Sequence, residues 1–173
     1  MSRIHTIVAV LFVATAAAGT YAQTPGKPAP PSPAHPAAHA APMVNAGDLT
    51  WGPAPPAFNA GAQMAVVDGD PSKPGPFVLR VKFPSGFKVM PHWHPTDENV
   101  TVISGTLVAG MGDKWDDAAM KTFTAGGFAR MPKKTPHYVQ AKEETIVQVH
   151  ATGPFTLTYV NPNDDPRNKK KTQ

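Results

Sequence analysis

The sequence predicts an all-β domain, a sandwich or closed barrel of many short strands, on three observations. Phe77, Leu79, Val81 and Phe83 alternate with Val78, Arg80 and Lys82, the period-two pattern of a strand with one buried face. Further short apolar runs follow, each bounded by Gly, Pro, Asp or Asn, which is how all-β chains are punctuated. Residues 114–120 are the one stretch that reads as a helical turn, and no internal repeat or glycine-rich phosphate loop is present, so the body reads as one unit.

The elements follow in order. The chain opens Met1-Ser2-Arg3, runs with almost no polar residue over 4–18, and passes through Thr20 and Ala22. A positive start, an apolar stretch too short to span a bilayer and a small-residue exit describe a secretory signal peptide, 1–22, cleaved after Ala22. The protein is therefore expected to be periplasmic or secreted, with no transmembrane span in the mature chain. Residues 23–42 carry seven prolines among alanines; this composition sustains no helix and buries no core, so it reads as a disordered linker in which His35 and His39 stay solvated. Residues 43–74, rich in Pro and Gly around Trp51 and Phe58, read as an arm packing on the domain or on a neighbouring subunit of a homodimer. The domain itself spans 75–162, with strands expected at 77–83, 88–94, 99–104, 106–111, 128–131, 137–140, 145–150 and 155–160. Residues 163–173 form a basic tail, expected to be solvated and to bury no apolar surface.

At 173 residues and 41% hydrophobic content the chain suits one domain with one core. It has no cysteine, so stability must come from packing and bound metal. The excess positive charge sits at the ends, in Arg3, Lys27, Arg167, Lys169, Lys170 and Lys171, while residues 43–166 hold ten Lys/Arg against twelve Asp/Glu. A nucleic-acid binder carries its positive charge on the folded surface, so nucleic acid is excluded as a partner.

The chemistry concentrates in 86–105. On a strand, His92 and His94 project to one face while Trp93 projects away. Pro95-Thr96-Asp97 reads as a turn, and Glu98 opens the next apolar run with a carboxylate that can swing back to the same point. A fourth donor must come from elsewhere; His137, which follows the turn 132–136 and begins a strand, is the best candidate. Imidazoles with one carboxylate suit a divalent transition metal, Fe, Mn, Zn, Ni or Cu, better than Mg or Ca.

At these positions the chain resembles the cupin family, single-domain RmlC-like β-barrels whose first motif reads G-x5-H-x-H-x3-E-x6-G. Gly86, His92, His94, Glu98 and Gly105 match every fixed position. The second motif, G-x5-P-x-G-x2-H-x3-N, is met by Gly126, Pro132 and His137, but Lys134 stands where glycine is usual and Ala141 where asparagine is usual. The resemblance, which covers about 75–159, implies a double-stranded β-helix (jelly-roll) barrel, and Lys134 at a glycine position implies a strained turn. It also implies dioxygenase, decarboxylase or isomerase chemistry on a small oxygenated substrate, with oxidoreductase chemistry first. The alternative is a non-catalytic periplasmic module that binds a small ligand or senses metal.

Several other residues have two readings. Gln148 and His150 share strand parity, and the resemblance puts their strand on the barrel wall; pointing inward, with Val147 and Val149 outward, they would handle protons beside the metal. Arg80 and Arg130 can each clamp a substrate carboxylate or simply face solvent. Asp97 can be a spare ligand or, in its turn, bond the backbone. Asp113, Asp116 and Asp117 lack the alternation of a calcium loop and read as a surface turn.

Overall fold

The structure, a computed structural model, describes residues 43–169. The expected signal peptide, the linker with His35 and His39, and Lys170 and Lys171 of the tail lie outside the described residues. Eleven strands, all antiparallel where paired, form two sheets, and the only helical elements among the described residues are short 3-10 turns. The strands are β1 (Gly52–Pro53), β2 (Gln63–Asp68), β3 (Gly75–Phe83), β4 (Lys88–Trp93), β5 (Glu98–Ser104), β6 (Thr106–Met111), β7 (Lys121–Thr124), β8 (Phe128–Met131), β9 (His137–Ala141), β10 (Thr145–Gly153) and β11 (Thr158–Tyr159). One sheet runs β1-β2-β3-β10-β5-β8 and the other β11-β4-β9-β6-β7. No helix among the described residues is long and apolar enough to cross a membrane.

The two sheets share one core. Leu79, Val81, Val102, Val147 and Val149 from the first and Val89, Leu107 and Ala141 from the second are buried in a single apolar cluster. In β3 the alternation read from sequence holds residue by residue: Phe77, Leu79, Val81 and Phe83 are buried, and Val78, Arg80 and Lys82 are half-buried on the other face. The 114–120 region contains one short 3-10 turn, Asp117–Ala119, capped by Asp116, whose carboxylate accepts from the Ala118 N–H.

Four segments differ from the sequence reading. β7 lies on none of the expected strands and pairs with β6 from Thr106↔Thr124 to Ala109↔Lys121. The 43–74 region, expected as an arm packing on the domain, adds a strand to the first sheet, because β2 pairs with β3 from Gln63↔Lys82 to Asp68↔Val78. Its Ala57 carbonyl also accepts the buried Tyr159 hydroxyl at 2.8 Å. At the other end of the domain only Thr158–Tyr159 pair as a strand where 155–160 was expected. The start of the tail is also docked rather than free. Arg167 binds the carboxylate of the buried Asp165 through Nε and Nη2, at 2.8 and 2.7 Å, and donates to the Leu157 carbonyl at 3.1 Å. A guanidinium that finds a carboxylate and a carbonyl orders a chain end that carries no apolar anchor of its own.

The two glycines of the first motif are both left-handed, Gly86 at φ 76° and Gly105 at φ 77°, but they differ in surroundings. A Cβ on Gly86 would meet open space, whereas on Gly105 it would strike the Glu144 carbonyl and lie 2.7 Å from Thr145 Oγ1. Gly86→Ala should therefore cost only the backbone penalty, about 1 kcal/mol. Gly105→Ala should add overpacking and cost roughly 2–4 kcal/mol. Thermal unfolding of the two variants checks this, with the Gly105 variant expected to lose at least twice as much in Tm.

Candidate metal centre

One irregularity in β4 brings the histidines together. In its ladder with β9, Val89 pairs with Val139 and His92 with His137, so β4 spends three residues where β9 spends two. The extra residue reverses strand parity, which lets Val89 and His92 both face the core. Pro91, with no N–H to lose from a ladder, sits inside this bulge. His92 and His137 are thereby direct neighbours in the second sheet, and His94 follows one residue beyond the end of β4. Glu98 comes from the other sheet, as the first residue of β5. All four side chains are buried.

The hydrogen bonds fix what each imidazole can do. His92 Nδ1 lies 2.7 Å from the Met90 carbonyl, His94 Nδ1 2.8 Å from that of Thr156, and His137 Nδ1 3.1 Å from that of Thr135. A carbonyl only accepts, so each Nδ1 carries the proton and each neutral ring presents Nε2 as a bare lone pair. Ligand atoms of the three rings lie within 4.8 Å of one another. Glu98 Oε2 stands 3.5 Å from His94 Nε2 and 3.3 Å from His137 Nε2. Both of those nitrogens are buried with no hydrogen-bond partner. Acceptors facing a carboxylate in a buried site, with no protein donor between them, are the donor set that a divalent transition metal satisfies. The cluster can coordinate a metal ion.

Burial and charge agree with this reading. Burial holds His92 well below the ordinary imidazole value, and the neighbouring His137 and His94 push it further down. Burial likewise lowers His94, against the opposing pull of Glu98. For Glu98 burial acts upward, but His94 and then His137 outweigh it and keep the carboxyl below its ordinary value. At neutral pH His92 and His94 are thus neutral imidazoles beside an ionised Glu98.

Two turns hold the ligands in place. The Lys134 N–H donates to the His94 carbonyl at 2.8 Å, and the Lys133 N–H donates to Asp97 Oδ1 at 2.8 Å. Arg130 Nη2 pairs with the other Asp97 oxygen. Asp97 is thus a clamp between the loop that carries His94 and Glu98 and the loop that leads to His137, and it does not reach the histidine cluster as a ligand. Lys134 has φ 57°, so the turn keeps the glycine-like conformation without the glycine. Phe155 stacks on the His94 ring at 4.2 Å between centroids and 12° between planes.

The cavity beside the cluster, about 80 Å³, is walled by apolar side chains from both sheets, among them Leu79, Val81, Val139, Val147, Val149 and Phe155. This corrects the expectation for β10. Val147 and Val149 are buried against the cavity, while Gln148 is half-buried and His150 exposed on the opposite face. The reason is ordinary alternation, since the apolar residues of a strand take its core side. Gln148 Oε1 accepts from Arg80 Nε at 2.9 Å, and Gln148 Nε2 lies 3.4 Å from His150 Nε2, so these three residues form an outer row. Arg80 and Arg130 both face away from the cavity, as the solvent-face reading required. Asp116 and Asp117 bond the backbone and the Trp115 indole within their surface turn.

Comparison with known proteins agrees with this fold. The family model described as a domain of unknown function, DUF4437, matches residues 8–158. The chain belongs to the DUF4437 family. No curated protein matches its sequence significantly. Among solved structures, the DUF4437 chain is similar to the polyketide cyclase RemF from Streptomyces resistomycificus, with 14% identity and TM-score 0.60 over 72% of this chain and 88% of that one. It is also similar to a candidate acetylacetone dioxygenase from Methylibium petroleiphilum PM1, with 21% identity and TM-score 0.55 over 72% and 83%. An RmlC-like cupin protein from Ralstonia eutropha JMP134 gives 18% identity and TM-score 0.53 over 71% and 74%. At these identities the likeness is one of fold, and the fold is cupin-like.

The buried imidazoles make the stability of metal-free protein depend on pH. Below the ordinary value of 6.5 the unfolded chain takes up protons that folded His92 and His94 resist. The unfolded state then binds more protons, so stability is full above about 6.5 and is lost as pH falls, by at most about 1.4 kcal/mol per pH unit per histidine. Glu98 adds a loss only below its ordinary value of 4.5. Protein treated with chelator should show a falling Tm between pH 7.5 and 5.5. A flat profile would mean that His92 and His94 take up protons as readily in the folded chain as in the unfolded one.

Proposed function

We propose that this protein is an exported, metal-dependent enzyme of cupin fold that acts on a small oxygenated substrate. The observation that carries the reading is the pair of orphaned Nε2 atoms of His94 and His137 facing the Glu98 carboxylate. His92, His94, His137 and Glu98 would hold one divalent transition metal, from the set Fe, Mn, Zn, Ni and Cu. The metal would supply Lewis acidity toward a substrate oxygen and, where redox-active, a path for electrons from the substrate to dioxygen. The reaction types in keeping with the site are dioxygenase, decarboxylase and isomerase chemistry, with oxidation first.

The chain's own part is positional and electrostatic. The carbonyls of Met90, Thr156 and Thr135 hold the three rings in one tautomer, so their lone pairs stay aimed at one point without rearrangement. Glu98 is the one carboxylate among the described residues that line the cavity, and its oxygen not held by the metal would accept a proton leaving a substrate hydroxyl or α-carbon. The apolar wall excludes water and strengthens every charge interaction inside. A second reading, a periplasmic ligand-capture module, is favoured by one observation: with His150 and Gln148 turned outward, no titratable side chain among the described residues lines the cavity beyond the four donors. The apolar opening run that ends in Thr20 and Ala22 supports export in either case.

Metal analysis of single variants tests the centre. His92→Ala, His94→Ala and His137→Ala should each abolish stoichiometric metal, while Glu98→Gln should weaken binding less, because an amide oxygen can still donate. Full occupancy in His137→Ala protein would remove that residue from the donor set. Oxygen uptake with diketone, catechol-like and sugar-acid compounds then separates the enzyme from the capture module. His150→Gln should leave both metal content and any turnover within about twofold of the parent, since an exposed residue on the far face meets neither metal nor substrate.

N-terminal sequencing of exported protein should find a mature chain that begins at or near Gln23. Intact Met1 in a membrane fraction would point to an anchor instead.

A further inference from the structure

The cavity's wall defines a class of ligand more narrowly than the metal donors do. Apart from His92, His94, His137 and Glu98, every residue that lines it is apolar. The chain's candidate cationic clamps are committed elsewhere: Arg80 donates to Gln148 on the outer face, and Arg130 pairs with Asp97. Among the described residues, no lysine, arginine, serine, threonine, asparagine or glutamine side chain faces the space. The single fixed charge of the cavity is the negative one on Glu98. Leu79, Val81 and Val149, all buried, form the surface farther along.

We infer that the site selects small uncharged ligands, with one carbonyl or hydroxyl end for the metal and an apolar body for the wall, and that it rejects any ligand with a second anionic group. This rests on the metal reading above, because the metal is the only polar handle such a ligand would find. A ligand can lose one proton at the oxygen that meets the metal, where the positive charge balances it. A carboxylate or phosphate placed away from the metal would be buried against leucine and valine with no donor and no counter-charge, and would feel the Glu98 charge besides. Dicarboxylates, sugar acids and phosphate esters therefore fall outside the class. Simple ketones, phenols and neutral 1,3-dicarbonyl compounds fall within it.

The test uses the full mature chain loaded with Co(II), and two ligands that differ only in charge. Allomaltol and comenic acid share one hydroxypyranone chelating head and carry, at the same ring carbon, a methyl group in the first and a carboxylate in the second. Each is titrated while the visible Co(II) spectrum is recorded, and each affinity is divided by that for free Co(II), which removes the difference between the heads themselves. Allomaltol is expected to bind at least tenfold tighter on this corrected scale, and to raise Tm where comenic acid does not. Equal or tighter binding of comenic acid overturns the inference and leaves the metal reading intact. A spectrum that responds to neither compound overturns it too, because the wall would then border no ligand site. Failure to take up Co(II) at all defeats the metal reading itself, and is seen before either ligand is added.

Discussion

Three imidazoles each give their Nδ1 proton to a backbone carbonyl, and two of them, His94 and His137, in doing so turn bare Nε2 atoms toward a buried carboxylate. This arrangement is the constraint on which the rest of the structure depends. An unpaired buried acceptor costs about 1–3 kcal/mol, and a whole domain is stable by only about 5–15 kcal/mol. Two such groups in one place, the Nε2 atoms of His94 and His137, therefore cost a sizeable fraction of the fold's stability. Two neutral acceptors next to a carboxylate cannot satisfy each other; a proton or a cation must come between them. Protonation is opposed by burial, which lowers His92 and His94. A divalent cation meets all four donors at once, and its binding energy becomes folding energy.

The surrounding structure serves to keep that conflict from relaxing. His92 and His137 are tied into one ladder, and Glu98 is the first residue of a strand in the opposite sheet. The donors therefore cannot separate unless the two sheets separate, and those share an apolar core. The turns that lead to His94 and His137 are bonded to each other through Asp97 and the Lys133 and Lys134 N–H groups. Lys134 pays for its place with a left-handed backbone, a strain of roughly 1–2 kcal/mol. Its N–H is positioned by that same conformation to reach the His94 carbonyl, so the strain and the tie are one feature.

Much of this was legible in the sequence, and the failures have physical reasons. The strands of the core show plain alternation, and the motif spacing placed His92, His94, Glu98 and His137 correctly as one cluster. The β4 bulge was not legible, because an extra residue leaves no mark in hydrophobic pattern beyond Pro91; the simple parity argument reached the right histidines although the strand is irregular. β2 was missed because Gln63–Asp68 is short, half exposed and set among Pro and Gly. The β10 error was of another kind. Alternation alone puts Val147 and Val149 inward, and the opposite choice gave weight to the chemical interest of His150 over the hydrophobicity of its neighbours. The docking of Arg167 was hidden because its partners, Asp165 and the Leu157 carbonyl, are joined by tertiary contact and by no local pattern.

Correcting β10 changes what kind of site this is. With Gln148 and His150 inside, the cavity would have carried its own proton relay and a polar wall, and the metal would have been one participant among several. With valines there instead, all the polar chemistry available to a bound molecule is held in four side chains, the same four that would hold a metal. Discrimination must then come from what the wall refuses, since an apolar surface distinguishes poorly among apolar bodies but strongly against unpaired charge. A ligand's orientation is likewise left to its own oxygen atoms and the metal, with shape alone to guide the remainder. Two chains could therefore share this donor set and this fold and still differ in substrate through a single polar replacement on β3, β9 or β10. That is why similarity of fold at low identity carries so little information about reaction.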